Sequence, residues 1–315
     1  KYAKLDGTKG KLKVESYGMK YGENHKELLN QIIEETNSSK NNVVINATEI
    51  HYEETSIFSM LKKKDYDKAV EVAYEEIIEK QKMRPELLEY GYILSKNPAD
   101  SEKLHVLLGI QEKVAMETRA NLFGPNVMLY SQMPIGISIS NVYGSPLPAL
   151  IVNIEEETYI TEVYDSEPVK VTRIPTGTRN IINTINSEEN SISKSYEVLR
   201  NMVLPTDDMD QISFEGNEYA PIIVSEIMKI VSEIKSVMKK RPGIYKKIYI
   251  SGTGATISNL ETFIEKLIDD VECDILRPAG IEGQKKVAVK EYVDVNSAIA
   301  LACEALRIWK KIHVF

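Results

Sequence analysis

Two short segments of the chain carry the residue types that nucleotide-binding clefts use. One segment, 153–158, follows an apolar run, and the other, 251–256, stands between an apolar run and an amphipathic one. Glycine lets the backbone approach a ligand closely, and the N-terminus of a helix attracts anions. Strand-to-helix turns also use glycine for steric reasons, so the second segment alone is a weak signal. The candidate residues are Asn153, Glu155 and Thr158 in the first segment, and Gly252, Thr253 and Gly254 in the second.

The first segment departs from the usual pattern of a phosphate-binding turn. In proteins that hold a nucleotide between two facing domains, this turn carries an Asp for the metal, a Gly for close approach and a Thr for a hydroxyl contact. Asn153 and Glu155 stand at the Asp and Gly places, and only Thr158 matches. A carboxylate about 4 Å from a phosphate costs up to about 4 kcal/mol at a surface-like dielectric, a factor of roughly 10³ in affinity. We therefore expect a degenerate cleft that does not catalyse a reaction.

Strands and a helix must position this turn. Residues 149–154 predict a buried strand, and the alternating runs at 159–163 and 169–174 predict two more strands. Gly177 closes the last run, and a helix with paired aliphatic residues follows it. The turn therefore lies within the order strand, turn, strand, strand, glycine, helix.

The beginning of the chain repeats this order. Residues 2–6 and 12–14 predict a hairpin that ends at Gly18, and a helix with paired aliphatic residues follows it, as in the later copy. Only the later copy begins with an additional strand. Because the sequence starts at Lys1 without a methionine, we expect the matching strand and the first phosphate turn to lie upstream of it.

The segment between the two copies predicts a compact α+β unit with helices on one face of a small antiparallel sheet. Its predicted elements are a strand at 50–57, a helix at 64–80, a hairpin of 86–94 with 103–110, a helix at 113–123 and a strand at 127–130. Residues 132–141 alternate like a strand but stand where a helix is expected, and both assignments stay open. Later predicted elements are helices at 179–185, 192–202, 219–240, 259–269 and 297–309, and a strand at 246–250.

The composition is that of a folded protein with a full core. The chain has 315 residues, 43% of them hydrophobic and 27% charged, which suits two domains. The net charge of -8 argues against nucleic acid as a partner. The 4 histidines are scattered without metal-ligand spacing, and no apolar run is long enough to span a bilayer. We expect Cys273 and Cys303 to be reduced thiols in the core.

Several features of the sequence together resemble the PilM family of type IV pilus assembly proteins, which is itself similar to the division protein FtsA. The resemblance covers essentially the whole chain, and the glycine segment near residue 252 is its most specific part. The features are the hairpin that ends Val14-Glu15-Ser16-Tyr17-Gly18, the inserted α+β unit, and the runs Leu104–Val114, Ser195–Arg200 and Ile248–Leu260.

The resemblance implies an α/β fold of the actin-like (ribonuclease H-like) type, with two lobes and an inserted small α+β domain. The first lobe would comprise 1–47, 132–147 and 296–315, and it would lack its first strand. The inserted domain would comprise 48–131. The second lobe would comprise 148–295, with a helical insertion at about 178–245.

The resemblance also implies ligands and partners. A cleft between the lobes would bind ATP with Mg²⁺. The partner would be the short N-terminal cytoplasmic peptide of a PilN-like inner-membrane protein, held in a groove between the first lobe and the inserted domain, with pilus motor ATPases as further partners. This places the protein in the cytoplasm, at the inner face of the plasma membrane. The implied nucleotide-binding residues are Asn153, Glu155, Thr158, Gly177, Gly252, Thr253 and Gly254.

These observations favour a scaffold with a degenerate cleft, and two alternatives stay open. One is a working ATPase or kinase of the actin superfamily, for which phosphoryl transfer needs metal and positioned carboxylates. The other is an FtsA-like filament protein at the membrane. That alternative would need a C-terminal amphipathic membrane helix, for which the run 309–315 is too short. A separate alternative concerns Lys239, Lys240, Arg241, Lys246 and Lys247, which would form a basic membrane-surface patch, although cations at a helix C-terminus also suit the helix dipole.

Overall fold

The computed structural model describes residues 1–8, 11–38, 43–46, 50–124, 128–130, 147–165, 167–205, 218–277, 281–282 and 289–312. The strands are β1 (Tyr2–Thr8), β2 (Lys11–Gly18), β3 (Val44–Asn46), β4 (His51–Phe58), β5 (Leu88–Lys96), β6 (Lys103–Glu112), β7 (Met128–Tyr130), β8 (Ala149–Ile154), β9 (Thr158–Tyr164), β10 (Glu167–Ile174), β11 (Lys247–Ser251), β12 (Glu272–Ile275) and β13 (Ile281–Glu282). The helices are α1 (His25–Glu35), α2 (Tyr66–Gln81), α3 (Lys113–Phe123), α4 (Thr178–Glu189), α5 (Ile192–Asn201), α6 (Ala220–Lys240), α7 (Leu260–Leu267) and α8 (Val289–Ile312).

A central sheet of five strands, in the order β10-β9-β8-β11-β12, organises the molecule. β8, β9 and β10 pair antiparallel, whereas β11 pairs parallel with both β8 and β12. The predicted order of strand, tight turn, strand and strand is therefore confirmed. All six residues of β8 are buried, which explains why this strand is an unbroken apolar run rather than an alternating one.

Helices cover both faces of the central sheet. Leu150, Val152 and Ile154 of β8 point into a core that the helices α4 to α7 complete. Ala149 and Ile151 point to the opposite face, where they pack against α8. The apolar residues of α6 recur every three or four positions, so one side of that long helix is buried along its length.

A smaller sheet at the beginning of the chain repeats part of this arrangement. β1 and β2 form an antiparallel hairpin with a bulge between Lys4 and Leu5, and β13 adds parallel to β2. α1 follows the hairpin as α4 follows β10. Ala3, Leu5 and Val14 pack against the core beneath α8, so the hairpin and the central sheet share that helix.

The inserted unit is a sheet of the order β4-β6-β5 with α2 on one face. Its other face meets the edge of the central sheet, where Leu107 of β6 packs with Val171 of β10. Ion pairs surround this contact: Glu54 of β4 pairs with Lys170 and lies 3.8 Å from Arg241. His105 of β6 is buried and hydrogen-bonds the backbone carbonyl of Val169. The inserted sheet is therefore fastened to the central sheet.

Several other expectations have clear outcomes. Cys273 and Cys303 are buried and form no disulfide within the described part of the chain, as predicted. Arg241 and Lys247 pair with carboxylates rather than join a free basic patch. α8 begins at Val289, eight residues before the predicted start. Within the described residues, no helix combines the length and the hydrophobicity needed to cross a bilayer. Residues 132–141 lie outside the described residues.

Candidate functional site

The turn between β8 and β9 is a tight hairpin whose three glutamates point in different directions. The Glu155 N–H donates to the Glu157 carbonyl at 3.0 Å, which closes the turn. Arg173 holds Glu157 with two hydrogen bonds, at 2.6 and 3.0 Å, and this contact lowers the pKa of Glu157. Arg179 lies 3.3 Å from the Glu156 carboxylate. Glu155 alone turns inward.

The N-terminus of α4 is closed by this turn. The Thr178 N–H donates to the Glu155 carbonyl at 2.7 Å, and the Arg179 N–H donates to the Glu156 carbonyl at 3.3 Å. A Cβ atom at Gly177 would lie 2.4 Å from the first of these carbonyl oxygens. Gly177 is therefore required for the turn to approach the helix, and the Thr178 and Arg179 N–H groups, which could otherwise bind an anion, already have partners.

The glycines of the second segment also face the chain itself. Gly252 follows β11 with φ +83°, and a Cβ atom there would lie 2.6 Å from the Ile154 carbonyl oxygen. A Cβ atom at Gly254 would lie 2.4 Å from Cγ2 of Ile154. Thr253–Thr256 form a short 3-10 helix, and all four residues are buried. The close approach that these glycines permit is therefore an approach to the end of β8.

Between the two segments lies a cluster of paired charges. Lys1 Nζ contacts the Glu155 carboxylate and the Thr253 hydroxyl, and it lies 3.1 Å from Asp294 Oδ1. Arg200 of α5 reaches Asp294 Oδ2 of α8 at 2.6 Å from Nη2 and 2.7 Å from Nε. Two cations therefore match two carboxylates, and we call these five residues the charge cluster.

Burial makes the pairing within the charge cluster strong. The Asp294 side chain is 2% exposed, and those of Glu155, Lys1 and Arg200 are 15%, 20% and 25% exposed. Burial alone would raise the pKa of Asp294, but Lys1 and Arg200 outweigh it and lower that pKa. Burial would likewise lower the pKa of Lys1, but Glu155 and Asp294 raise it. Asp294 and Lys1 therefore both stay charged at neutral pH.

Asn153 and Thr158 complete the set of predicted residues. Asn153 is fully buried and exchanges a hydrogen bond with Ser297 of α8, and the Ser297 hydroxyl also lies 2.9 Å from Glu155. The Thr158 hydroxyl is buried and has no hydrogen-bond partner among the residues that the structure describes. The structure thus brings Asn153, Glu155 and Thr253 together and leaves Thr158 out of the charge cluster.

An aromatic contact between Tyr21 and Tyr196 lies beside the charge cluster. Tyr21, which follows β2, packs on Tyr196 of α5 with ring centroids 5.3 Å apart. Arg200 donates to the Tyr21 hydroxyl at 3.2 Å and lies 5.6 Å from the centroid of the Tyr196 ring. The first hairpin and the helices after β10 are therefore joined by this aromatic contact.

The charge cluster does not suit a magnesium nucleotide. Its charges sum to zero, so it offers no net attraction for a triphosphate, and a phosphate at Lys1 would first have to displace Glu155. Breaking a buried pair costs about 3–5 kcal/mol. In the described part of the chain, no group of three or more His, Cys, Asp or Glu residues could hold a metal ion. We therefore derive no chemical step through ATP or Mg²⁺.

Sequence reasoning found the turn but missed its partners. Lys1 and Asp294 are 293 positions apart in the sequence, and no local pattern joins them. One signal was present: Asp294 stands between Val293 and Val295 in an apolar stretch, which is unusual for a charged residue without a partner. Arg200 lies in the run 195–200 already associated with the resemblance, although no role followed from it there.

Comparisons with known proteins bear on the fold. No family model and no curated protein matches the sequence. A chain of a PilM-PilN type IV pilus biogenesis complex superimposes with a TM-score of 0.65 at 13% identity, covering 96% of this chain and 94% of that one. Weaker similarities are to the ethanolamine utilization protein EutJ of Carboxydothermus hydrogenoformans (TM-score 0.40, 12% identity, 60% and 59% covered) and to an archaeal actin homolog in complex with ADP (0.38, 12%, 58% and 59%).

The chain thus has the actin-like fold, an α/β fold of several sheets. Within that class, the resemblance to PilM extends over nearly the whole chain, including the inserted sheet, which confirms the fold that the sequence predicted. At 13% identity, the similarity establishes the fold alone.

Proposed function

We propose that this protein is a scaffold of type IV pilus assembly that binds other proteins rather than transforming a small molecule. The observation that carries this proposal is the superposition on a chain of the PilM-PilN complex over 96% of the present chain. That complex joins PilM to PilN, and the sequence resembles PilM, so the partner proposed here is a PilN-like inner-membrane protein. The protein would act at the inner face of the membrane through that partner.

The charge cluster supports a scaffold rather than an enzyme. An actin-type ATPase needs a cleft that accepts phosphates and metal, whereas here a lysine, an arginine and two carboxylates neutralise one another. The glycines of both segments are used for contacts within the chain. The cleft therefore serves to hold its two walls together.

The partner segment we propose is a short N-terminal cytoplasmic peptide, bound in a groove between the first lobe (1–47, 132–147 and 296–315) and the inserted domain (48–131). The inserted sheet is fixed against β10, so one wall of such a groove would be rigid before binding. A rigid wall lowers the entropy cost of binding a peptide.

Isothermal titration calorimetry of the full chain with a synthetic N-terminal peptide of the PilN-like protein from the same genome tests the partner. We expect saturable binding with a Kd on the order of micromolar, which corresponds to about -8 kcal/mol. A peptide of the same composition in scrambled order is the matched control. Equal heats from both peptides, or none from either, would refute the proposed partner.

A second titration, with ATP and Mg²⁺, tests the degenerate cleft and the ATPase alternative. The unmodified protein should give no saturable heat. The variant Glu155→Gly frees Lys1 from one carboxylate and restores glycine to the turn, so it should bind pyrophosphate more tightly than the unmodified chain does. Micromolar ATP binding by the unmodified protein that weakens on Thr158→Ala or Gly252→Ala would instead establish a working nucleotide site.

A further inference from the structure

β5 is a long edge strand without the protection that edge strands usually carry. It pairs with β6 over nine residues in unbroken register, and its other edge pairs with no strand in the described part of the chain. Proteins protect such edges with proline, bulges, inward charges or short strands. β5 contains no proline and no bulge, and its charged residues stand near its ends, at Glu89 and Lys96.

The other described edge strands are protected. β10 carries Pro168 and a bulge, β1 has a bulge at Lys4, and β12 is four residues long. β4 places Glu53 and Glu54 in its middle, and Glu54 is held by cations of the central sheet region. An unprotected edge beside protected ones indicates that another chain pairs with β5.

A row of carboxylates on α2 lies over the face of the sheet that carries Tyr90 and Tyr92 of β5. Asp67, Glu71 and Glu75 follow one another at intervals of four along α2, so they lie on one face of the helix. None of the three pairs with a cation among the described residues, although like charges at this spacing destabilise a helix. Tyr92 of β5 contacts Asp67, and Tyr90 of β5 stacks on Tyr74 of α2, so this side of the helix lies over the middle of the strand. Burial and the three carboxylates raise the pKa of Tyr90.

Aromatic contacts fix the helix against the strand. The Tyr74 and Tyr90 rings stack with centroids 4.0 Å apart and planes at 20°. The Tyr92 hydroxyl donates to the Asp67 carboxylate. The strand edge and the carboxylate row are therefore held in one fixed geometry.

We propose that the open edge of β5 and the carboxylate row of α2 form a docking surface for a basic, extended segment of another protein, which adds to the inserted sheet as a further strand. Backbone hydrogen bonds to β5 would give the affinity, and alternate lysine or arginine side chains would reach Asp67, Glu71 and Glu75. The charges select the occupant: a second copy of this chain would bring two carboxylate rows together. This surface is additional to the peptide groove proposed above and does not depend on it.

The probe is a fluorescein-labelled nine-residue peptide in which lysine alternates with valine or threonine, measured by fluorescence anisotropy with the full chain. The double variant Glu71→Gln/Glu75→Gln should weaken its binding about tenfold, since two surface ion pairs contribute up to about 1 kcal/mol each. The matched control, Glu23→Gln/Glu233→Gln, removes two exposed carboxylates elsewhere and should leave the Kd unchanged. An equal change in Kd for the two double variants would refute the proposed docking surface.

Two further peptides separate strand addition from simple charge attraction. A peptide with glutamate in place of lysine should not bind. A peptide of the same charge with proline at alternate positions cannot complete the backbone pairing, so it should bind several-fold more weakly than the probe. Hydrogen exchange should show slower exchange of the β5 amides when the probe is bound. Equal binding of the proline peptide, unchanged exchange in β5, or a dimer of the free chain in sedimentation would each refute the proposal.

Discussion

Replacing Asp294 by Asn is the most direct test of the charge cluster. The Asp294 carboxylate is 2% exposed and holds Lys1 at 3.1 Å and Arg200 at 2.6 Å. Asn keeps the shape and one acceptor but removes the charge, so two cations lose their partner. Breaking a buried pair costs about 3–5 kcal/mol. Because Lys1 and Arg200 are 20% and 25% exposed, water recovers part of this cost, and we expect a loss of about 2–3 kcal/mol.

The matched control is Asp274→Asn. Asp274 pairs with Lys247 at 2.5 Å, but its side chain is 61% exposed. A surface pair contributes about 0–1 kcal/mol, so this variant should lose no more than that. Urea unfolding of both variants measures the difference, provided that the slope of free energy against urea is the same as in the unmodified chain.

The contribution of Asp294 to the free energy of unfolding should depend on pH in a direction that its pKa predicts. Lys1 and Arg200 hold the native pKa of Asp294 below its ordinary value. A carboxylate with a lowered native pKa stabilises the fold above its unfolded pKa of about 3.9, and this contribution is lost as pH falls through the native pKa. The difference between the unmodified chain and Asp294→Asn should therefore be constant near neutral pH and shrink below about pH 4. Equal losses for both variants, or a difference that persists in acid, would refute the cluster.

Three further changes test other contacts. Gly177→Ala places a Cβ atom 2.4 Å from a backbone oxygen, so it should lower the free energy of unfolding in urea by about 1–3 kcal/mol or more. The control is Gly22→Ala, whose Cβ atom would lie 3.4 Å from a flexible leucine side chain and should change that free energy little. Similar losses for the two variants would contradict the close approach at Gly177. Burial lowers the pKa of His105, so the unmodified chain should lose stability relative to His105→Gln as pH falls below about 6.5. Parallel curves of unfolding free energy against pH for the two proteins would contradict this prediction. Tyr245→Phe removes a 2.7 Å hydrogen bond to the buried Glu162 and should lower the free energy of unfolding by about 1–3 kcal/mol; an unchanged urea midpoint would show that Arg241 alone satisfies that carboxylate.

Local patterns in the sequence were sufficient to predict most elements. The run 149–174 resolved correctly into three strands because continuous burial and alternation are properties of neighbouring residues. The predicted start of α8 was wrong because Asp294 and Asn296 interrupt the apolar pattern of that helix. Both side chains are buried only because residues distant in sequence give them partners.

The candidate site shows the same division. Glu155 was singled out as a departure from the pattern of a phosphate turn, and its charge was expected to repel phosphate. The structure adds the reason that the charge is tolerated, since Lys1 neutralises it from the first hairpin. The glycines at 177 and 252 signalled a close approach, but the sequence could not state that the approaching group is the backbone of residues 154–156.

The charge cluster and the contact between the inserted sheet and β10 both hold other parts of the chain against the central sheet. A movement that separates these parts of the chain from the central sheet would have to break the ion pairs of Lys1 with its carboxylates and of Glu54 with Lys170 at the same time. Displacing the inserted sheet from the central sheet would also separate Leu107 from Val171. For the scaffold function proposed above, such coupling would allow force to pass between the partners that the protein binds.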